Sequence, residues 1–301
     1  MTDSPTSALP FGTRARYFLS NLVLRALFGL ALSLPYRWRV PMMGWLASHV
    51  LAPITGWRRR VRQNLAHVMP DLPQAEVERL SRAVPDNAGR TLIEIYSGDD
   101  FTARARRAPI EGPGLAALEQ ARDQGRPVIL MTAHFGNYDV ARAALIARGH
   151  NMGALYRAMN NPYFNAHYVR SIGRIGLPLF QQGRRGMMQL VKHLRGGGVL
   201  GILTDLYAAD GVPLPFFGKP ALTSLVTAEL ALKYNAPLIP TFVLRAENGL
   251  DFTVILQEPI APSDPETMTR EANDRLEALV REHMDQWFWI HRRWKNADRK
   301  A

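Results

Sequence analysis

The chain has 301 residues, enough for one large domain or for one domain with a small helical extension. It contains no cysteine, which excludes disulfides, thiol nucleophiles and cysteine-based metal sites, and a hydrophobic content of 47% is ample for a core. A net charge of +11 favours anionic partners: nucleic acid, anionic lipid headgroups or an acidic protein.

In chain order, the first 18 residues are polar, carry Arg14 and Arg16, and show no cleavable signal peptide. Residues 17–34 then form an apolar run whose length approaches a bilayer span, with Arg25 in its middle, where a charge is costly. A second apolar stretch, 40–57, is interrupted by His49 and Pro53. An uncleaved anchor, an interfacial helix and helices packed on the protein all fit this pattern. Membrane attachment is the favoured expectation, because Arg14, Arg16, Arg58, Arg59, Arg60 and Arg62 flank the apolar segments. At the other end, residues 286–295 interleave tryptophans with cations, which suits a membrane interface. The alternative for this tail is a Trp-rich segment that covers the core.

Residues 1–57 therefore read as an N-terminal membrane-anchoring or interfacial segment, and 58–301 as the main domain. Within that domain, 58–110 is a helical lead-in ending in the basic patch Arg104, Arg106 and Arg107, and 111–301 is an α/β core. The pattern in the core predicts helix 115–122, strand 128–133, helix 138–148, strand 152–156 and helix 163–174. It continues with strand 177–180, helix 186–194, strand 199–204, helix 223–234 and strand 238–244. Strand 252–256 is expected to be antiparallel, and helix 271–287 closes the chain. Alternating strands and helices imply an α/β fold with a mostly parallel sheet flanked by helices.

Chemistry is expected at strand ends. His134 follows the first core strand, a glycine turn follows it, and Asp139 lies in the first turn of the next helix. A histidine held by a carboxylate is the usual general base near neutral pH. With 8 histidines and 26 acids, chance supplies roughly 0.7 such spacings, so a backbone-bonded histidine beside a helix-capping aspartate fits the bare pair as well. Arg157 and Asp205 also follow strands, and residues at the carboxyl ends of parallel strands converge on one edge. Taken singly, they also read as a surface ion pair and a turn cap.

Between 211 and 223, Pro213 and Pro215 hold the chain extended and Gly218 permits positive φ. Thr223 could cap the following helix, whose amides, with Lys219, could bind an anion, and Phe217 could line an apolar groove. An ordinary strand, turn and capped helix is the other reading. No P-loop, dinucleotide turn, nucleophile elbow or zinc helix is present in the sequence. A metal site from His134, Asp139 and Asp205 lacks a further histidine at ligand spacing, so no metal is expected.

From about residue 17 to 295 the ordered set of motifs resembles the lysophospholipid acyltransferase superfamily, in particular the bacterial lipid A biosynthesis (late) acyltransferases. The set is Arg60-Val-Arg-Gln-Asn64-Leu, Glu111-Gly, His134-Phe-Gly-Asn-Tyr-Asp139 and Tyr156-Arg157. It continues with the stretch 205–211, Phe216-Phe-Gly-Lys-Pro-Ala-Leu-Thr223, Pro240 and Trp289-Ile-His-Arg-Arg-Trp-Lys295. The resemblance implies acyl transfer from acyl carrier protein (or coenzyme A) to a hydroxyl of a lipid A precursor, on the cytoplasmic face of a bacterial inner membrane. The donor thioester is then a substrate and no cofactor is required. His134 would be the base and Asp139 its orienting acid. Arg157, Tyr156, Asp205, Asn64, Phe217, Gly218, Lys219 and Thr223 would serve substrate binding. Many lauroyl and myristoyl transferases of the family carry Glu where this chain has Asp139, and they differ after Asp205. Other lipid acceptors, such as a lysophospholipid or an aminolipid, remain alternatives, as does a non-catalytic lipid-binding protein. A metal-dependent hydrolase is a further class, and a nucleic-acid binder is disfavoured because no recognised module is present.

Overall fold

The computed structural model describes residues 10–295. The polar residues 1–9, part of the stretch read as lacking a cleavable signal, lie outside the described residues. Helix α1 (Phe11–Leu32) is followed by α2 (Tyr36–Leu46), a π-helical turn (Ala47–Leu51) and α3 (Ala52–Thr55). Then come α4 (Trp57–Val68), α5 (Gln74–Tyr96) and α6 (Asp99–Ala105). The core runs β1 (Ile110–Glu111), α7 (Gly114–Asp123), β2 (Val128–Thr132), α8 (Asp139–Ala147) and β3 (Met152–Tyr156). It continues α9 (Pro162–Ile175), β4 (Leu179–Gln181), α10 (Arg184–Arg195) and β5 (Val199–Leu203). The last elements are β6 (Val212–Phe216), β7 (Lys219–Thr223), α11 (Val226–Lys233), β8 (Leu238–Arg245), β9 (Phe252–Leu256) and α12 (Pro265–Glu282).

Seven strands form one sheet in the order β1-β9-β8-β2-β5-β3-β4. The pairs from β8 to β4 are parallel, and β9 runs antiparallel to β8 as expected. This is the α/β fold with a mostly parallel sheet and helices on both faces. The central strand β2 is apolar on both faces, which a doubly covered parallel strand requires. Ile129 and Met131 face one layer, with α4, α10, α11 and α12; Val128 and Leu130 face the other, with α6, α7, α8 and α9.

Helix α1 lies in the second layer. Phe28 and Ala31 are buried there, Phe28 stacks on Tyr96 of α5, and Phe18 meets Tyr163 of α9 edge-on. Most of its length is open. Phe11, Phe18, Leu19, Leu22, Val23, Leu27 and Leu30 are exposed, and among the described residues it is one helix long and apolar enough to cross a membrane. The stretch after it divides. Tyr36, Arg39 and Val40 pack inward, whereas Trp38, Trp45, Val50 and Ile54 remain exposed.

Two local readings need correction. The segment 211–223 is not a strand leading into a capped helix but the two-stranded hairpin β6–β7, turning at Phe217 and Gly218, both with positive φ. Positive φ at both central residues is the twist that matches a two-residue hairpin. Thr223 ends β7 and α11 starts at Val226, so Thr223 caps nothing; its hydroxyl donates to the Ala221 carbonyl. The C-terminal tail is not an interfacial belt. Trp287, Trp289 and Trp294 are buried; Trp294 stacks on Phe216 of the hairpin, Trp287 on Phe217 and Trp289 on Trp294, so the tail covers the core.

Candidate active site

The register of β2 against β5 fixes the site. Thr132 pairs with Leu203, so two residues further on His134 and Asp205 arrive level at the carboxyl edge of the sheet. There the His134 main-chain N–H donates to Asp205 Oδ2 (2.9 Å), and Nδ1 lies 2.8 Å from Oδ1. The indole Nε1 of Trp287 donates to Oδ2 (3.0 Å). Burial pushes the Asp205 carboxyl up, but the charge of His134, its two hydrogen bonds and the nearby His291 outweigh this and hold it far below the usual carboxylate range. An ionised carboxylate only accepts, so in the neutral ring the proton sits on Nδ1 and Nε2 keeps its lone pair. That tautomer is the one a general base needs.

The loop carrying His134 is held by main-chain pairing to the tail. Gly136 N–H donates to the Gln286 carbonyl and Phe288 N–H to the His134 carbonyl. Gly136 has φ +53°, and a Cβ there would lie 2.1 Å from the Val243 carbonyl oxygen, so only glycine fits.

Asp139 is not the partner of His134. Its Oδ1 accepts from Arg142 Nε (3.0 Å) and Nη2 (2.7 Å), and both side chains are buried. Arg142 also donates to the carbonyls of Gly176 and Ile172, so this pair ties α8 to α9. A helical i, i+3 arginine outcompeted a histidine on the preceding loop for the carboxylate. The carboxylate that holds the His134 ring is Asp205, which the resemblance assigns to substrate binding.

A cavity of about 590 Å³ opens from His134 along the α8–α9 face of the sheet. Its apolar walls include Met152, Ala154, Leu155, Ile172, Ile202 and Leu206, and Gly201 adds no side chain. Asp139, Tyr156 and Arg157 also line it. Arg157 is exposed and makes no ion pair among the described residues, while the Tyr156 hydroxyl bonds Gln181 (3.2 Å). The other expected binding residues do not line it. The Asn64 amide donates to the carbonyls of Trp289 (2.6 Å) and His291 (2.8 Å), clamping the tail instead of a ligand. Phe217, Gly218, Lys219 and Thr223 belong to the hairpin. Phe217 N–H bonds Glu277 of α12, and buried Thr223 accepts from the wholly buried Arg293 (2.6 Å). Asn64→Ala should leave two tail carbonyls without donors and cost roughly 1–3 kcal/mol, read as a lower urea midpoint.

Sequence reading missed Trp287 and His291 as neighbours of the base. The His291 ring packs edge-on to His134 at 4.6 Å. Burial, reinforced by His134, pushes it down to about 4. His134, Asp205 and His291 each offer a ligand atom within 4.8 Å of the others, but Asp205 already holds His134 through hydrogen bonds. Their convergence depends on strand order and the returning tail, so only the Trp-Ile-His-Arg-Arg-Trp pattern hinted at it.

The neutral His291 has a pH consequence. An unfolded histidine titrates near 6.5, so between about 6.5 and about 4 the unfolded chain binds a proton that the folded chain refuses. Stability from this group is complete above that window and is lost as pH falls through it. Thermal melts from about pH 7 to about pH 4.5 should show a falling Tm, and a shallower fall in His291→Gln. An equally steep fall in the variant would contradict the assignment.

A histidine–carboxylate pair at a sheet edge, opening on an apolar cavity, can activate a hydroxyl beside an apolar chain. A model of the bacterial lipid A biosynthesis acyltransferase family matches residues 12–296, so the chain belongs to that family and is an acyltransferase. It is 25% identical to the phosphatidylinositol mannoside acyltransferase of Mycobacterium tuberculosis (strain CDC 1551 / Oshkosh), over 79% of this chain and 78% of the relative. It is also 25% identical to the lipid A biosynthesis acyltransferase of Haemophilus influenzae, over 85% and 81%. With the lipid A biosynthesis lauroyltransferase of Escherichia coli (strain K12) it shares 23% identity over 93% and 92%.

Proposed function

We propose that this acyltransferase moves a fatty acyl chain from acyl carrier protein (or coenzyme A) to a hydroxyl of an anionic lipid of the lipid A precursor type, at the cytoplasmic face of the inner membrane. The observation that carries the reading is the tautomer-fixed His134 at the mouth of an apolar cavity. Nε2 of His134 takes the acceptor hydroxyl proton as the oxygen attacks the thioester carbonyl carbon. The tetrahedral intermediate collapses with cleavage of the C–S bond, and the proton on Nε2 passes to the departing thiolate. Asp205 stabilises the imidazolium that forms between these steps. No covalent enzyme intermediate is involved.

The acyl chain fits the apolar walls, and the unpaired Arg157 at the rim suits a phosphate on the acceptor. The exposed apolar face of α1 supports attachment to the membrane that holds such a lipid. The relatives act on two glycolipid types, so the acceptor needs a direct test. Full-length protein in lipid nanodiscs is given acyl carrier protein and coenzyme A thioesters. A lipid A precursor, a phosphatidylinositol mannoside, a lysophospholipid and an aminolipid are offered in turn. Mass spectrometry is expected to show one added acyl chain on the lipid A precursor. Transfer confined to one of the other lipids would replace the proposed acceptor.

A further inference from the structure

The 65 residues from Val140 to Thr204 contain no aspartate or glutamate and nine arginines and lysines. They build β3, α9, β4 and α10, the edge of the sheet beside the cavity. The charge is most concentrated on α10. Its inner stripe, Leu190 and Leu194, is buried against the core. Its outer stripe, Arg185, Met188, Lys192 and Arg195, is exposed at helical spacing, with Arg184 beside it. None of these four cations makes an ion pair or hydrogen bond among the described residues. Met188 is 61% exposed in their midst. An unpaired cationic face around an apolar side chain has the form of a docking surface for an acidic partner.

We infer that α10 docks an acidic acyl carrier protein, with Arg184, Arg185, Lys192 and Arg195 facing its acidic helices and Met188 as the central apolar contact. This rests on the proposed acyl-thioester donor. Two observations select a carrier protein over the membrane. The apolar helix α1 packs in the layer with α8 and α9, whereas α10 packs in the opposite layer, with α11 and α12. The cations of α10 thus lie across the sheet from the face that α1 offers to lipid. Second, α10 starts at the cavity: Leu179 on β4 and Gln182 in the turn before α10 both line it. The helix has 12 residues and is about 18 Å long, so a carrier seated along it places its thioester-bearing arm at the entrance over β4.

The test compares wild type with Arg185→Glu/Lys192→Glu/Arg195→Glu, using acyl-acyl carrier protein and the coenzyme A thioester of the same acyl chain. The variant should raise KM for the carrier-protein donor about tenfold or more with little change in kcat, and leave the coenzyme A reaction unchanged. Fluorescence anisotropy with labelled carrier protein should weaken in parallel, and sedimentation with anionic vesicles should not. Equal loss with both donors, or unchanged carrier-protein KM, overturns the docking surface. Loss of vesicle binding with unchanged carrier-protein KM overturns it in favour of a membrane contact. Wild type that transfers only from coenzyme A removes the carrier as donor and the surface with it. Wild type inactive with both donors counts instead against the underlying reaction.

Discussion

His134→Ala is expected to lower acyl transfer by about 10²–10⁴-fold while the protein stays folded. The scaffold around the site uses the main chain of residue 134, not its imidazole. Its N–H donates to Asp205 and its carbonyl accepts from Phe288, and alanine keeps both. The imidazole itself is only half-buried, with 22% of its side chain exposed. Truncation removes one donor from Asp205 Oδ1, a loss of roughly 1–3 kcal/mol that water entering from the cavity can reduce. The acceptor hydroxyl, by contrast, loses the base placed to take its proton. The variant should therefore keep a cooperative thermal transition and donor binding close to wild type, with kcat carrying the loss. Turnover equal to wild type in the nanodisc assay would remove His134 from the mechanism.

Much of the fold was legible in the sequence because its signals are local. Strands 152–156 and 252–256 fall where the apolar pattern places them, and α8, α9 and α10 lie within a few residues of their expected bounds. Position 134 after a buried strand placed the histidine at the ligand-binding edge. What remained hidden depends on which strands are neighbours. Residues 134 and 139 are close in sequence, so they invited pairing, but Asp139 points into a helix that supplies Arg142 one turn away. Asp205 is 71 residues from His134 and meets it only because β5 inserts between β2 and β3. The hairpin failed for a related reason. Its proline-rich strands pair with each other and pack on α12, so Phe217 and Thr223 serve the core, and nothing in their own spacing distinguishes a groove lining from a buried support. The tail tryptophans show the same ambiguity: alternation with cations reads as an interface, yet Arg293 is itself buried, donating to Leu222 and Thr223.

The two acids can be separated by charge-neutral substitutions. Asp205→Asn should cost about 10²–10⁴ in kcat. Three donors converge on Asp205: the His134 main-chain N–H, Nδ1–H and the Trp287 indole. An amide offers one acceptor oxygen and a donor nitrogen, so it cannot satisfy all three. If the amide nitrogen faces Nδ1, the ring must place its proton on Nε2, the atom that has to accept one. Asp139→Asn meets a different situation. It leaves the buried Arg142 without its countercharge, although the carbonyls of Gly176 and Ile172 still accept from it. Breaking such a buried pair costs about 3–5 kcal/mol, so the effect should appear in stability, with kcat per folded molecule reduced less than about tenfold. Adding Arg142→Met should recover part of that stability, since removing both charges also removes the unpaired one. Stability is read from denaturant midpoints and kcat from transfer normalised to folded protein. If Asp139→Asn instead abolished turnover in a protein of wild-type stability, while Asp205→Asn stayed active, the carboxylate that serves His134 during the reaction would be Asp139. The hydrogen bond to Asp205 would then belong to the resting enzyme alone.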